Sequence, residues 1–181
     1  MKKFILWITL SRIILGPLIF IAIIFELFFL SLFLIILSGV SDFLDGYLAR
    51  KFNATSDIGK ILDPIADKIL ICFSLIAITI LLESNYIAFL SSIIIAREIW
   101  VSGLRDYNSL IGNIGATEVT FLAKSKTALQ IITVCSYLFG LLISNALIIF
   151  LSDWFLFISA LITVKTGLDY SSKSNIFRSN K

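Results

Sequence analysis

Apolar residues occur in this sequence as long runs that short polar segments interrupt. About 20 apolar residues in a helix are enough to cross the hydrocarbon core of a bilayer. The shorter runs can be extended by the helix-compatible polar residues beside them, so the second helix is expected to run to Arg50 and the third to begin near Gly59. We predict an all-α polytopic membrane protein with six transmembrane helices. The runs are residues 4–25, 27–40, 69–82, 86–96, 128–150 and 154–164.

The composition extends this interpretation to the whole chain. Hydrophobic residues make up 59% and charged residues 15%, far from the balance of an ordinary soluble domain. Six spans leave little of the 181 residues for a soluble part. We therefore predict one membrane domain over residues 1–181. The first run has no small-residue cleavage site and further spans follow it, which favours a retained helix over a signal peptide.

The basic residues fall on one side of the six-helix layout, as expected for short cytoplasmic loops. With the N-terminus in the cytoplasm, the outward connections lie around Glu26, at 83–85 and at 144–153, and none contains Lys or Arg. We predict that both termini face the cytoplasm. The net charge of +3 suits an anionic lipid surface and does not indicate nucleic-acid binding.

Histidine is absent from the sequence, and its two cysteines lie within apolar runs. The absence of histidine removes the commonest general base and the commonest transition-metal ligand. Cys72 and Cys135 are expected to act as small buried hydrophobic residues rather than as a disulfide or a metal site. Any bound metal should therefore be a hard cation held by carboxylates.

Four aspartates occur in the segment SDFLDGYLARKFNATSDIGKILDPIADK, between the second and third runs. Asp42 and Asp45 are three residues apart, and Asp63 and Asp67 are four apart, so each pair lies on one face of its helix. An ionised aspartate at the bilayer centre costs about 2.5 to 3.5 kcal/mol. Mutual repulsion adds to that cost, and bound cations relieve both. We predict two Mg²⁺ or Mn²⁺ ions about 3.5 to 4 Å apart, an arrangement suited to displacement at phosphorus.

Small residues and one arginine accompany these carboxylates. Gly46 and Ala49 leave room for a bulky ligand, and Gly59 permits close backbone approach one turn before Asp63. Arg50 supplies a cation suited to a pyrophosphate oxygen. A solvated loop that carries scattered charges is the alternative, but it needs no such helical register of small and acidic residues.

The pattern D-x2-D-G-x2-A-R-x8-G-x3-D-x3-D resembles the signature of the CDP-alcohol phosphotransferase family. The matching positions are Asp42, Asp45, Gly46, Ala49, Arg50, Gly59, Asp63 and Asp67. The resemblance implies six transmembrane helices, usually in a homodimer, a polar cavity open to the cytoplasm, and two metal ions. It also implies that Asp67 is both a ligand and the candidate base, and that the other three aspartates are mainly ligands. The CDP-lipid site would be lined by Asp42, Gly46, Ala49, Arg50 and Gly59.

Further motifs resemble the members of this family that use glycerol 3-phosphate. These are Thr9-Leu10-x-Arg12 with Pro17, LDPIADK at 62–68, IAREI at 95–99, Leu104-Arg105 and Lys124-x-Lys126-Thr127. The resemblance implies transfer of the phosphatidyl group of CDP-diacylglycerol to sn-glycerol 3-phosphate, with release of CMP, in a bacterial cytoplasmic membrane. Four basic residues near the inner ends of the fourth and fifth helices can then converge on the acceptor's dianionic phosphate. They are Arg97, Arg105, Lys124 and Lys126.

Four other interpretations stay open at this point. Each of these basic residues also suits an interfacial anchor, and the acceptor can instead be inositol phosphate, serine or phosphatidylglycerol. A divalent-cation transporter predicts acidic residues throughout the membrane depth, whereas the outer half holds only Glu26, Glu83 and Asp153. An inactive structural membrane protein is disfavoured by the intact motif.

Overall fold

The computed structural model describes residues 2–51, 57–112 and 121–174, without the side chains of 2–9, 42–51, 57–61, 63 and 121–124. Within those ranges the chain forms six α-helices and no strand, which confirms the predicted all-α fold with six helices. The helices are α1 (Lys2–Ile24), α2 (Phe28–Lys51), α3 (Asp57–Leu82), α4 (Asn85–Leu110), α5 (Phe121–Leu142) and α6 (Ala146–Lys173).

Four helical segments of the described chain are long and apolar enough to cross a membrane. They are Pro64–Leu82, Asn85–Leu110, Ser125–Leu142 and Ala146–Lys173. The described parts of α1 and α2 contribute the shorter apolar helices Leu10–Ile24 and Phe28–Ser41. Large apolar side chains such as Phe29 and Phe89 are exposed, which suits contact with lipid tails. Crossing by all six helices stays a prediction.

Three helix connections are tight turns that each contain a residue in the left-handed conformation. These residues are Glu26, Glu83 and Ser144, with φ of 59°, 47° and 52°. At the end of α1, the Leu27 N–H donates to the Ala22 carbonyl at 2.8 Å and the Glu26 N–H to the Ile23 carbonyl at 2.9 Å. This hydrogen-bond pattern closes a helix C-terminus with a Schellman motif. All three turns occur in the connections that lack Lys and Arg.

The boundary between α5 and α6 differs from the prediction. The sequence predicted an apolar run over 128–150, a sixth run from Trp154 and a connection at 144–153, but α5 ends at Leu142 and α6 begins at Ala146, so the turn lies at the start of the predicted connection. The Asn145 Oδ1 accepts hydrogen bonds from the N–H groups of Leu147 and Ile148, at 3.0 and 3.3 Å. Asn145 therefore caps α6. Apolar residues on both sides of the turn concealed its exact position in the sequence.

Contacts divide the chain into two compact units. Unit 1 comprises Met1–Ser84 and Val134–Ile149, and within it α1 packs against α3 and, less extensively, against α2. A Cβ at Gly16 would lie 2.7 Å from the Ile69 Cγ2, so the absence of a side chain there permits the close approach of α1 to α3. The prediction of a single domain stays untested.

Unit 2 comprises Asn85–Thr133 and Phe150–Lys181. It contains α4, the first half of α5 and most of α6. Its interior includes apolar side chains such as Ile94, Val101 and Leu104, but also many polar ones. Polar groups inside a membrane domain need partners and usually indicate function. Buried polar residues of this unit include Arg97, Glu98, Asn108, Lys126, Gln130, Thr163 and Thr166.

Candidate active site

The acidic motif of unit 1 lies on two consecutive helices, as the sequence predicted. α2 continues to Lys51 and α3 starts at Asp57, so each aspartate pair belongs to a continuous helix. Asp42 and Asp45 thus keep the i, i+3 register on α2, and Asp63 and Asp67 the i, i+4 register on α3. The structure therefore confirms that one helix carries each aspartate pair, and the convergence of the four carboxylates stays a prediction.

The remaining motif residues are also placed by their helices. Gly46, Ala49 and Arg50 lie on the last turns of α2, and Gly59 lies in the first turn of α3. The side chains of Asp42, Asp45 and Asp63, like those of Ala49 and Arg50, fall outside the described part of the chain. Their assignment to the metal and CDP-lipid sites stays a prediction.

Asp67 is paired with a buried arginine from α1. The Arg12 Nη1 lies 3.4 Å from the Asp67 Oδ1, with 1% of the Arg12 side chain and 46% of the Asp67 side chain exposed. A buried guanidinium requires an anionic or hydrogen-bonding partner, and Asp67 supplies one. This pair was not predicted from the sequence, where its signal is an arginine within an apolar run.

The donor chemistry of the four aspartates fits a hard divalent cation. Carboxylate oxygens are the ligands that Mg²⁺ and Mn²⁺ prefer. Among the residues with described side chains, no group of three or more His, Cys, Asp or Glu side chains can hold a metal. Asp67 is the one motif aspartate within that set, so two-metal binding stays a prediction.

Unit 2 gathers a cluster of basic residues around one carboxylate. The Lys126 Nζ donates a hydrogen bond to the Glu98 Oε1, and the Arg97 Nη1 lies 3.4 Å from the same oxygen. Arg97, Glu98 and Lys126 are all buried. The structure thus brings together two of the predicted basic residues from different helices, α4 and α5. Glu98, to which the sequence analysis gave no role, joins them.

Helix α6 supplies the other side of this cluster. The Arg97 Nη2 donates to the Thr166 Oγ1 at 2.7 Å, and the Arg105 Nη2 donates to the Tyr170 hydroxyl at 2.9 Å. The guanidinium carbons of Arg97 and Arg105 lie 6.0 and 5.0 Å from the centre of the Tyr170 ring, within cation–π range. Sequence reasoning missed both α6 residues. A polar residue every third or fourth position at this end of α6 was the available signal.

The described cluster carries an excess of positive charge. It contains three cations, Arg97, Arg105 and Lys126, and one carboxylate, Glu98, which leaves two positive charges unbalanced. Nε of Arg97 and Nε of Arg105 are buried and have no hydrogen-bond partner among the described residues. A buried donor without an acceptor is costly, so this arrangement favours a bound anion. The side chain of Lys124, the fourth predicted basic residue, lies outside the described part of the chain.

Comparison with known proteins agrees with these features. Residues 6–165 match the CDP-alcohol phosphatidyltransferase family. Relatives named CDP-diacylglycerol–glycerol-3-phosphate 3-phosphatidyltransferase include one from Rickettsia bellii (strain RML369-C), 38% identical over 142 residues, which covers 78% of this chain and 76% of the relative. Another, from Wigglesworthia glossinidia brevipalpis, is 36% identical over 168 residues, 90% of each chain. The family resemblance drawn from the aspartate signature is confirmed, and the chain belongs to the CDP-alcohol phosphatidyltransferase family.

Proposed function

We propose that this protein transfers the phosphatidyl group of CDP-diacylglycerol to sn-glycerol 3-phosphate, forming phosphatidylglycerophosphate and CMP. Family membership and the names of relatives that match most of the chain support the reaction. The observation that carries the acceptor is the cluster of unit 2, with two unbalanced positive charges and two buried guanidinium donors. A phosphate dianion matches that charge and accepts from such donors.

The reaction is a displacement at phosphorus. The acceptor hydroxyl oxygen bonds to the phosphorus that carries diacylglycerol, and the bond from that phosphorus to the CMP oxygen breaks. CMP departs with the electron pair, while the hydroxyl proton passes to a base. We assign this base to Asp67, because the chain contains no histidine and the carboxylate is half exposed. The ion pair with Arg12 fixes the position of its Oδ1.

The other motif residues are assigned to the activated lipid. Asp42, Asp45 and Asp63, with Asp67, hold two divalent cations, Mg²⁺ or Mn²⁺. When bound, these ions neutralise phosphate charge and polarise the phosphorus centre. Asp42, Gly46, Ala49, Arg50 and Gly59 form the site for the CDP-lipid, where Arg50 contacts a pyrophosphate oxygen.

The acceptor phosphate is assigned to unit 2. Arg97 and Arg105 offer planar guanidinium groups suited to bidentate recognition, and Lys126 offers a point charge. Lys124, two residues before Lys126, is assigned to the same phosphate. Because Glu98 already balances one cation, the site favours a dianion over a neutral alcohol.

The membrane arrangement completes the proposal. Six spanning helices place both termini in the cytoplasm of a bacterial cell, and a polar active-site cavity opens to the cytoplasm in each subunit of a homodimer. Single cysteines at Asn85 and Asn113, in a variant that lacks Cys72 and Cys135, should label from opposite sides of the membrane. Labelling from the same side would contradict this topology.

The direct test uses purified protein with CDP-diacylglycerol and a panel of alcohols, with CMP release as the measurement. We expect turnover with glycerol 3-phosphate and none with unphosphorylated glycerol. Arg105→Ala should raise the KM for glycerol 3-phosphate more than the KM for CDP-diacylglycerol, because it removes a phosphate donor. Comparable turnover with inositol phosphate, serine or glycerol would replace the assigned acceptor and leave the family membership unchanged.

A further inference from the structure

The end of α6 holds three residues that lie against the arginines of the basic cluster: Thr166 and Gly167 contact Arg97, and Tyr170 contacts both Arg97 and Arg105. Thr166, Gly167 and Tyr170 lie beyond residue 165, where the match to the family ends, and all three are buried. We propose that they form an α6 positioning surface, which orients Arg97 and Arg105 toward the acceptor phosphate and so determines the affinity for a phosphorylated acceptor. This inference rests on the proposed function.

Thr166 presents an acceptor to Arg97 because its own proton is engaged elsewhere. The Thr166 hydroxyl donates to the carbonyl of Ile162 at 2.8 Å, with the Thr163 carbonyl at 3.1 Å. Its oxygen therefore has a lone pair available for the Arg97 Nη2, 2.7 Å away. This bond fixes one edge of the guanidinium to α6 and so sets the direction of its other donors, among them Nε, which has no partner among the described residues.

Gly167 provides the space in which the Arg97 side chain lies. A Cβ at this position would come within 3.0 Å of the Arg97 Cγ and 3.2 Å of its Nε. Contacts this short would displace Arg97 by a few tenths of an ångström. Gly103 on α4 offers a matched control, because a Cβ there would meet nothing within 4 Å.

Tyr170 holds two like charges near each other. Both guanidinium groups lie near its ring, whose electron-rich face attracts cations, and its hydroxyl accepts from the Arg105 Nη2. Tyr170 is 5% exposed, so little water competes for these contacts. The tyrosine thereby offsets part of the repulsion between Arg97 and Arg105 and keeps their other donors available for a phosphate.

The test compares variants of the full-length protein in CMP-release assays. Thr166→Val, Tyr170→Phe and Gly167→Ala should each raise the KM for glycerol 3-phosphate about tenfold, since small misplacements of a binding group are costly. Their KM for CDP-diacylglycerol should stay within about twofold of wild type. Thr166→Ser retains the hydroxyl and should restore the wild-type KM, and Gly103→Ala should leave it unchanged.

Inorganic phosphate serves as a probe of the phosphate site alone. Its inhibition constant against glycerol 3-phosphate should rise in parallel with the KM, a change that a merely structural defect in α6 would not produce. If Gly167→Ala does not fold, the pair Thr166→Val and Thr166→Ser decides. If Thr166→Val and Tyr170→Phe have the same KM for glycerol 3-phosphate as Gly103→Ala, this inference is overturned and the proposed function stands. If CMP release by the wild-type protein does not depend on the concentration of glycerol 3-phosphate, the proposed function is overturned, and this inference with it.

Discussion

The acidic motif of unit 1 and the basic cluster of unit 2 are assembled in different ways. The four aspartates lie between residues 42 and 67 on two consecutive helices, at spacings that a helix alone brings to one face. The basic cluster draws on α4, α5 and α6, with partners 28 to 69 residues apart. A site built from local spacing is visible in a sequence, whereas one built from long-range contacts requires the fold.

The two regions also differ in how their charges are stabilised. In unit 1, Asp67 is half exposed beside the buried Arg12. In unit 2, Glu98 is buried with two cations that contact the same carboxylate oxygen. Changes at the acidic motif should therefore affect mainly the chemical step, and changes at the basic cluster should affect folding and acceptor binding.

Metal removal gives the largest expected effect and tests the acidic region alone. Chelation of divalent cations by EDTA should reduce CMP release to background, and added Mg²⁺ or Mn²⁺ should restore it, because the four carboxylates repel one another without cations. The thermal unfolding midpoint should also fall in EDTA, since a metal that binds only the folded state stabilises it. Full activity after complete chelation would contradict the two-metal assignment.

Asp67→Asn should lower kcat about 10²-fold or more, the usual scale for loss of a general base. The amide oxygen can still coordinate a cation weakly but cannot accept the proton, so binding of the CDP-lipid should be largely retained. Asp153→Asn on α6 is the matched control and should keep the wild-type kcat. Near-normal turnover by Asp67→Asn with intact metal binding would exclude the base role.

Glu98→Ala should destabilise the protein by about 3 to 5 kcal/mol, because it leaves buried cations without their counter-charge. Thermal unfolding of the purified variant measures this loss. Inorganic phosphate should recover part of the stability, since an anion that binds only the folded state shifts the equilibrium toward it. The double variant Glu98→Gln with Lys126→Met removes one charge of each sign and should be more stable than Glu98→Ala. A Glu98→Ala protein as stable as wild type would contradict the role of Glu98 as counter-ion.

Ser171 lies at the edge of the basic cluster, and Ser171→Ala should have the smallest effect on stability and on acceptor binding. The Trp100 Nε1 donates to the Ser171 Oγ at 2.9 Å, but this bond is exposed, so water can replace the lost partner. We expect a stability change of about 0.5 kcal/mol or less and an unchanged KM for glycerol 3-phosphate. A large rise in that KM would extend the α6 positioning surface to Ser171.

The sequence determined the parts of this protein that depend on neighbouring residues. Apolar runs predicted six helices because the length of a span and its composition are local properties. The aspartate spacing predicted both the family and the two helices that carry the motif. The connection predicted at 144–153 proved to be a short turn at 143–145, and its bounds were wrong because the residues around it are apolar on both sides and its cap depends on the single side chain of Asn145.

Only the tertiary structure decided which distant side chains meet. Arg12 is a positive charge on α1 in the sequence, but in the fold it is the partner of Asp67. Glu98 lies next to Arg97 in the chain, yet its contact with Lys126 depends on the packing of α4 against α5. Thr166 and Tyr170 resemble ordinary polar residues at the end of a span until α6 is placed beside Arg97 and Arg105. The physical reason is that helical periodicity fixes which side chains share a face, whereas helix packing determines which faces meet.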